Sequence, residues 1–221
     1  MSYETHTKNA YRNTEKAKEY QDQYIKGAKW ARFTMWRQKG IIQKFIGHCQ
    51  IAKSDSMLDI PCGTGYAGSI LSDSGGEVFA SDISMEMMDL AVGEYRKSNF
   101  SGFVQSDITE IPFPSGRFRS VVVLALMHRL PCEIRARVLS EINRVSSKYV
   151  IISYSVESFS QRVKQWLLLK IKPTHIPAPS SIPLNVMREE IASAGFTIIK
   201  KQHIMFFFSA KLVFLIEKEG S

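Results

Sequence analysis

Three aspartates, Asp59, Asp82 and Asp107, each close a short apolar run: "MLDI", "EVFASD" and "SGFVQSD". After the first of them comes a glycine-rich stretch, Gly63-Thr64-Gly65-Tyr66-Ala67-Gly68. A strand that runs into a glycine turn and then a helix presents backbone N–H groups and the positive end of a helix dipole to an anionic group. Gly63 and Gly65 let the chain turn tightly and let a ligand come close. Asp82, at the end of the next run, is placed to accept hydrogen bonds from the hydroxyls of a ribose. The pattern implies a nucleotide-like ligand.

A nicotinamide dinucleotide satisfies these features as well as other nucleosides do, because a glycine motif of this kind is weakly specific. Three observations favour a different ligand. Asp59 precedes the turn, and a fixed negative charge there suits a positive amino group and disfavours a pyrophosphate. Asp107, in "QSDI", can accept from an exocyclic adenine amine while Ile108 covers the ring. The chain ends in two strand-like runs with no room for the separate catalytic domain that dehydrogenases usually need.

These residues need a scaffold that brings strand ends together. From about Ser56 the chain alternates strand and helix: "EVFASD", the helix "SMEMMDLAVGEYRK", "SGFVQSD", "RSVVVLAL", the helix "PCEIRARVLSEINRV" and the strand "KYVIISYS". Such alternation predicts parallel βαβ units with helices on both faces of the sheet. The last runs, "FTIIKKQHIMFFF" and "AKLVFLIEK", are too close together for a crossover helix and should form an antiparallel hairpin. The expected fold is α/β, Rossmann-like, with a mostly parallel sheet and an antiparallel finish. One domain is expected for 221 residues: an N-terminal helical lid over 1–50, a cofactor-binding core over 55–155, an acceptor-side insertion over 156–185, and a C-terminal helix and strands over 186–221.

Composition narrows the class further. Apolar residues at 44% and charged residues at 23% are ordinary for a globular chain and exclude disorder or low complexity. The polar N-terminus lacks a signal-peptide core, and no run approaches the ~20 apolar residues that span a bilayer. Cys49, Cys62 and Cys132 are too widely spaced for a disulfide framework or a zinc site, so no metal is expected. A cytoplasmic protein follows, with the inner membrane surface as a peripheral location. The net charge of +8 suits anionic partners, whether lipid, nucleic acid or acidic metabolites.

In "LDIPCGTGY", "FASDIS", "SDITEIPFPSGRF" and "VVVLALMHRL", taken in order and spacing, the chain resembles the class I S-adenosylmethionine-dependent methyltransferases, and within them the type-11, UbiE-like group. The resemblance covers about 55–155. It implies a seven-stranded sheet with the last strand reversed and S-adenosyl-L-methionine as cofactor. It further implies that Asp59, Cys62, Gly63, Thr64 and Gly65 surround the methionine portion, that Asp82 and Ile83 hold the ribose and one face of adenine, and that Asp107 and Ile108 hold the adenine edge. Leu124, Ala125 and His128 would lie beside the sulfonium. Pro61 replaces the family's usual first glycine, and Arg119 stands where an aspartate is usual, which reads as a surface change.

A sulfonium is a good leaving group, so the enzyme's main task is to align an acceptor and exclude water. Where the acceptor is a phenol, alcohol or carbon acid a base is needed, and His128 is the candidate catalytic residue. Tyr20, Tyr24, Trp30 and Trp36 are candidates for a lid, Tyr20 also for cofactor contact. The basic, apolar stretch "RVKQWLLLKIK" could lie on an anionic membrane or cover the acceptor pocket. The expected acceptor is a small or lipid-like molecule. Nucleic-acid methylation is the alternative raised by the charge, but "LALMH" lacks the Asn/Asp-Pro-Pro-aromatic signature of base amino methylation; a nicotinamide-dependent oxidoreductase is the more remote one.

Overall fold

The computed structural model describes residues 14–25, 29–95, 98–156, 181–205 and 210–221, with nothing to be said of the side chains at 23–25. Two helices lead, α1 (Thr14–Ile25) and α2 (Lys29–Cys49). There follow β1 (Ser56–Asp59), α3 (Gly68–Ser72), β2 (Glu77–Asp82), α4 (Met85–Ala91), β3 (Phe100–Gln105), β4 (Phe118–Val123), α5 (Cys132–Val145) and β5 (Ser146–Ser155). Closing the chain are α6 (Leu184–Ser193), β6 (Phe196–His203) and β7 (Lys211–Lys218). The stretch "RVKQWLLLKIK" lies outside the described residues.

The seven strands form one sheet in the order β3-β2-β1-β4-β5-β7-β6. β1 pairs in parallel with β2 and β4, as do β2 with β3 and β4 with β5. β7 inserts between β5 and β6 and runs antiparallel to both. The expected hairpin is present, and the strand order reverses between β1 and β4. A crevice opens at such a reversal, outside the carboxyl ends of the strands, because the crossovers on either side depart to opposite faces.

Alternation of side chains along the strands divides the core between the two faces. Leu58, Val121, Val123, Val150, Ile152, Phe214 and Ile216 pack with Val138, Leu139 and Ile142 of α5 and Met187 and Ile191 of α6. Met57, Val122, Ile151, Val213 and Leu215 pack on the other face with Ile42, Phe45 and Ile46 of α2, Leu71 of α3 and Met88 of α4. The α5 positions that are buried, Arg135, Val138, Leu139, Ile142 and Val145, follow helical spacing.

Several elements end earlier or begin later than their sequence patterns predict. α4 stops at Ala91 and tightens into a 3₁₀ turn over Val92–Glu94, after which the buried Tyr95 reaches Asp59 with its hydroxyl. α3 begins only at Gly68, because the preceding glycine turn is folded on itself through Gly65 N–H to Cys62 O and Gly68 N–H to Gly65 O. β3 ends at Gln105, so Asp107 lies beyond the strand rather than at its end. Arg119 forms an ion pair with Asp55 at 3.2 Å, as a half-buried surface residue.

Opposite the glycine turn, the 3₁₀ turn Met127–Arg129 after β4 is held by a nearly buried ion pair. Arg135 donates from Nε to both carboxylate oxygens of Glu190, at 3.1 and 2.9 Å, and from Nη1 to the Leu130 carbonyl at 2.7 Å. Both side chains are only 10% exposed. Removing one member leaves the other charge with little water to solvate it. Arg135→Ala should therefore lower the unfolding free energy by about 3 kcal/mol, measured by urea denaturation. A loss below about 1 kcal/mol would mean that the pair behaves as an exposed one.

Candidate functional site

A cavity of about 660 Å³ opens over the carboxyl ends of β1, β2 and β4. Its wall includes Asp59, Pro61, Cys62, Gly63 and Thr64 from β1 and the turn, Asp82, Ile83 and Ser84 after β2, and Ser106, Asp107 and Ile108 after β3. Leu124, Ala125, Leu126 and Arg129 come from the end of β4, and Ile204 and Lys211 from the last hairpin. Helices α1 and α2 add Tyr20, Gln21, Trp30, Ala31, Thr34, Met35, Gln38 and Lys39.

Asp82 organises one side of this wall. Its Oδ2 accepts the Gly63 N–H at 2.8 Å and its Oδ1 the Ser84 N–H at 3.0 Å. Ser84 in turn caps α4 by accepting from the Met87 N–H at 3.1 Å. Burial raises the Asp82 carboxyl above its usual range, while the N–H donors of Ser84, Gly63 and Ile83 oppose that shift. One carboxylate thus joins the glycine turn, the tip of β2 and the start of α4.

Asp59 is 1% exposed, and its Oδ2 accepts the Tyr95 hydroxyl at 2.6 Å. Burial pushes its carboxyl up to about 7, the Tyr95 hydrogen bond opposes the rise, and the charge of Asp82 adds to it. Asp107 Oδ1 accepts from both the N–H and the hydroxyl of Thr109, each at 2.9 Å. Cys62 is buried, and its thiol is raised well above the usual range by burial and by the neighbouring Asp59 and Asp82. A thiol held protonated in this way is a packing group, not a nucleophile.

Gly63 and Gly65 serve different ends. Gly63 has φ +53° and open space where a Cβ would stand, on the cavity wall. Gly65 does not line the cavity, contrary to the expectation that it admits a ligand. At φ +80° a Cβ there would meet the Glu94 Cβ at 2.7 Å, so its bareness lets the turn pack against the 3₁₀ turn after α4. The expectation of turn N–H groups free for an anion is also corrected. The Gly63, Gly65 and Gly68 N–H groups are donated to Asp82, Cys62 and Gly65. With those donors engaged and two buried carboxylates adjacent, the turn suits a cationic ligand over a pyrophosphate.

His128, expected beside the reacting centre, is not among the cavity-lining residues. It sits in the Met127–Arg129 turn, 8% exposed, with a buried Nδ1 that has no hydrogen-bond partner among the described residues. Burial, with the charges of Arg129 and Lys211, lowers its pKa to about 4. A ring so reluctant to take a proton is a poor general base at neutral pH. Burial in the 3₁₀ turn, invisible in the string "LMHRL", accounts for the difference.

The remaining sequence-derived residues, Asp59, Cys62, Gly63, Thr64, Asp82, Ile83, Asp107, Ile108, Leu124, Ala125 and Tyr20, converge on the one cavity. Ala125 holds a left-handed backbone, φ 56°, and donates its N–H to Ser153 Oγ at 2.8 Å, a strained tip of the sort that collects at functional sites. Of the aromatic lid candidates, Tyr20 and Trp30 line the cavity, whereas Trp36 faces outward with 66% exposure. Sequence reasoning missed Tyr95, Arg129 and Lys211. Arg129 stands inside the run "VVVLALMHRL" without a role assigned to it, whereas Tyr95 and Lys211 belong to no local motif and only the meeting of distant elements reveals them.

A cationic sulfur nucleoside fits these residues: the buried Asp59 for its positive amino group, Asp82 at the end of β2 and Asp107 in the loop after β3 for its hydroxyl and amino donors, and apolar Ile83 and Ile108 for a base ring. Comparison with known proteins agrees. Residues 57–148 match the family model described as a methyltransferase domain. The protein YqeM of Bacillus subtilis, whose name assigns it provisionally to the methyltransferases, is 29% identical over 102 residues. That match spans 46% of this chain and only 37% of the relative's length.

Among solved structures, magnesium protoporphyrin IX methyltransferase of Synechocystis PCC 6803 with bound S-adenosylmethionine superposes with a TM-score of 0.74. It is 14% identical, and the superposition covers 99% of this chain and 98% of that one. The PH0226 protein of Pyrococcus horikoshii gives 0.68 at 17% identity, covering 91% and 99%. Identities this low speak to the fold alone. Residues 57–148 thus resemble a methyltransferase domain, and the sheet belongs to a fold shared with a methyltransferase that binds S-adenosylmethionine.

Proposed function

We propose that this chain transfers the methyl group of S-adenosylmethionine to a small, lipid-like acceptor. The observation that carries the reading is the pair of buried carboxylates, Asp59 and Asp82, on adjacent strand tips facing one large cavity. Bound there, the cofactor supplies a methyl group activated by a good leaving group. Asp82 and Ile83 hold its ribose, Asp59 its amino group, and Asp107 and Ile108 its adenine. Leu124 and Ala125 flank the reacting side, and α1 and α2 serve as a lid that excludes water. The narrower UbiE-like assignment rests on the sequence motifs alone.

Asp82→Ala removes both the ribose acceptor and the partner of the Gly63 and Ser84 N–H groups. Affinity for S-adenosylmethionine by calorimetry should fall at least about a hundredfold, as expected for losing charge-assisted hydrogen bonds. A thermal melt shows whether the variant is folded; unchanged affinity in a folded variant would count decisively against the assignment.

The Asp59 carboxyl also gives the site a pH dependence. Its pKa of about 7 means that the neutral form is well populated below neutrality, whereas a cationic amino group binds the carboxylate. Affinity should rise roughly tenfold from about pH 6 to about pH 8, and Asp59→Asn should flatten that profile. The sign for the ligand-free fold is opposite. A raised carboxyl binds more protons folded than unfolded, so stability falls as pH rises through the window between its ordinary value of 3.8 and about 7. Calorimetric titrations across pH check the first, and melts without ligand the second.

An anionic bilayer is the partner we assign to the lid. α2, "KWARFTMWRQKGIIQKFIGHC", contains Lys29, Arg32, Arg37, Lys39 and Lys44 and no acidic residue. Phe33 and Trp36 stand on its outer face, 42% and 66% exposed, with their rings 5.8 Å apart. Aromatic groups among cations on a helix face are suited to the headgroup boundary. The opposite face of the same helix lines the cavity, so a docked protein would open toward a lipid-like acceptor. Full-length protein should co-sediment with phosphatidylcholine vesicles containing about one-third phosphatidylglycerol and not with phosphatidylcholine alone. Phe33→Ser with Trp36→Ser should weaken this about tenfold; equal binding by the double variant would place the contact elsewhere.

A further inference from the structure

We infer that Tyr95 is a positioning residue for the cofactor: by holding one oxygen of the Asp59 carboxylate it aims the other at the cofactor's ammonium group. This rests on the methyl-transfer reading above, in which Asp59 takes that group. Tyr95 is buried and does not line the cavity, so it acts on a ligand only through another residue. Its hydroxyl donates to Asp59 Oδ2 at 2.6 Å. Asp59 does line the cavity, and its Oδ1 has no hydrogen-bond partner among the described residues.

The ring of Tyr95 is fixed on several sides. It stacks on Phe100 of β3 with centroids 4.7 Å apart and meets Phe103 edge-on at 5.6 Å. A Cβ at Gly68, the first residue of α3, would stand 3.2 Å from Tyr95 Cδ1, so the bare glycine lets the ring lie against the start of that helix. An aspartate carboxylate otherwise rotates over a broad range about its last torsion. Hung from a hydroxyl that β3 and α3 hold still, the carboxylate of Asp59 is set before a ligand arrives, and less ordering remains to be done on binding.

The same bond acts on charge. Burial pushes the Asp59 carboxyl up, the Tyr95 hydrogen bond opposes the rise, and the charge of Asp82 adds to it. Tyr95 itself is raised well above its usual range by burial and then by the charge of Asp59, so its hydroxyl stays a donor. Cys62 of the glycine turn, whose thiol stays protonated, is the other titratable neighbour. Glu94 after α4, Lys39 of α2, Asp107 after β3, Arg129 after β4 and Lys211 at the start of β7 complete the charged groups of the cavity wall. Lys39 stands with its ammonium 5.3 Å from the centre of the Tyr66 ring. Among the described residues only Tyr95 donates a hydrogen bond to Asp59. A bond to the charged form favours it, so without the hydroxyl Asp59 keeps its proton to a higher pH.

S-adenosylhomocysteine carries the amino group, whereas 5′-methylthioadenosine has the same nucleoside and a thioether without the amino-acid portion. Both are titrated by calorimetry, from about pH 5 to about pH 8, into the full-length protein and into Tyr95→Phe, which keeps the ring and removes the hydroxyl. Affinity of the variant for S-adenosylhomocysteine should be about tenfold lower at about pH 7. The rise of that affinity with pH should lie about one unit higher than in the parent. 5′-Methylthioadenosine should bind both proteins within about twofold at every pH. Thermal melts show whether the variant is folded.

Unchanged affinity and an unchanged pH profile in folded Tyr95→Phe would overturn the inference. An equal loss for the two ligands overturns it too, because it assigns Tyr95 to the packing of the glycine turn alone. If the variant does not fold, the parent protein is isotope-labelled at the tyrosine ring carbon that bears the hydroxyl and followed by nuclear magnetic resonance. One tyrosine signal should then titrate with the midpoint of the affinity profile and move with S-adenosylhomocysteine more than with 5′-methylthioadenosine; the absence of such a signal overturns the inference. Parent protein that binds neither ligand refutes the methyl-transfer reading itself, whereas a parent that binds both alike at every pH refutes only the role given to Asp59 and Tyr95.

Discussion

The site depends on one carboxylate doing two jobs within the fold. Asp82 ends β2 and receives the Gly63 N–H with one oxygen and the Ser84 N–H with the other. Those bonds fix the distance between the β1 turn and the β2 turn, and through the Ser84 cap they set where α4 begins. α4 then determines where its 3₁₀ extension places Glu94 and Tyr95, against which Gly65 and Gly68 pack with no room for a Cβ. Tyr95 closes the circuit by donating to Asp59 on the neighbouring strand. Binding pocket and local fold are therefore one hydrogen-bonded unit, and a ligand that engages Asp82 or Asp59 acts on the same groups that hold the turn in shape.

Burying two carboxylates side by side is unfavourable, and the structure shows the cost in the raised pKa values of both. Fixed N–H donors and a tyrosine hydroxyl offset part of it. A cationic ligand would offset more, and would draw protons off the pair as it bound. That is a form of preorganisation: a charge arrangement unfavourable on its own becomes favourable with a partner of the right sign. A dinucleotide would meet negative charge where its own pyrophosphate must lie. The same acids that select the ligand thus exclude the commonest alternative for a glycine motif on an α/β sheet.

Most of the scaffold was legible because parallel strands buried on both faces write themselves as short apolar runs. "EVFASD" is the whole of β2, and the close spacing of the last two runs dictated an antiparallel pair without a crossover. The three aspartates were legible for the same reason, since each follows such a run. Less readable were features set by contacts across the crevice. The pattern "SMEMMDLAVGEYRK" gives no sign that the helix stops at Ala91 so that Tyr95 can reach Asp59. Gly65 reads as a ligand-facing glycine, yet its bareness answers to Glu94. His128 sits in the motif position for a base, but the short turn after β4 buries it.

Lys211 shows what kind of information a linear reading lacks. It begins β7, the strand that runs backwards between β5 and β6, and its neighbour in register is Ser155 at the end of β5. Because β7 is reversed, its first residue lies at the same edge of the sheet as the last residues of β1, β4 and β5. A parallel strand in that place would bring its C-terminal end there instead, and Lys211 would lie at the far edge. The reversal that closes the sheet therefore also delivers a cation to the crevice, beside the Arg129 turn that Arg135 and Glu190 hold in place. Topology, more than any motif, brings Lys211 to the end of the cavity where Arg129 stands.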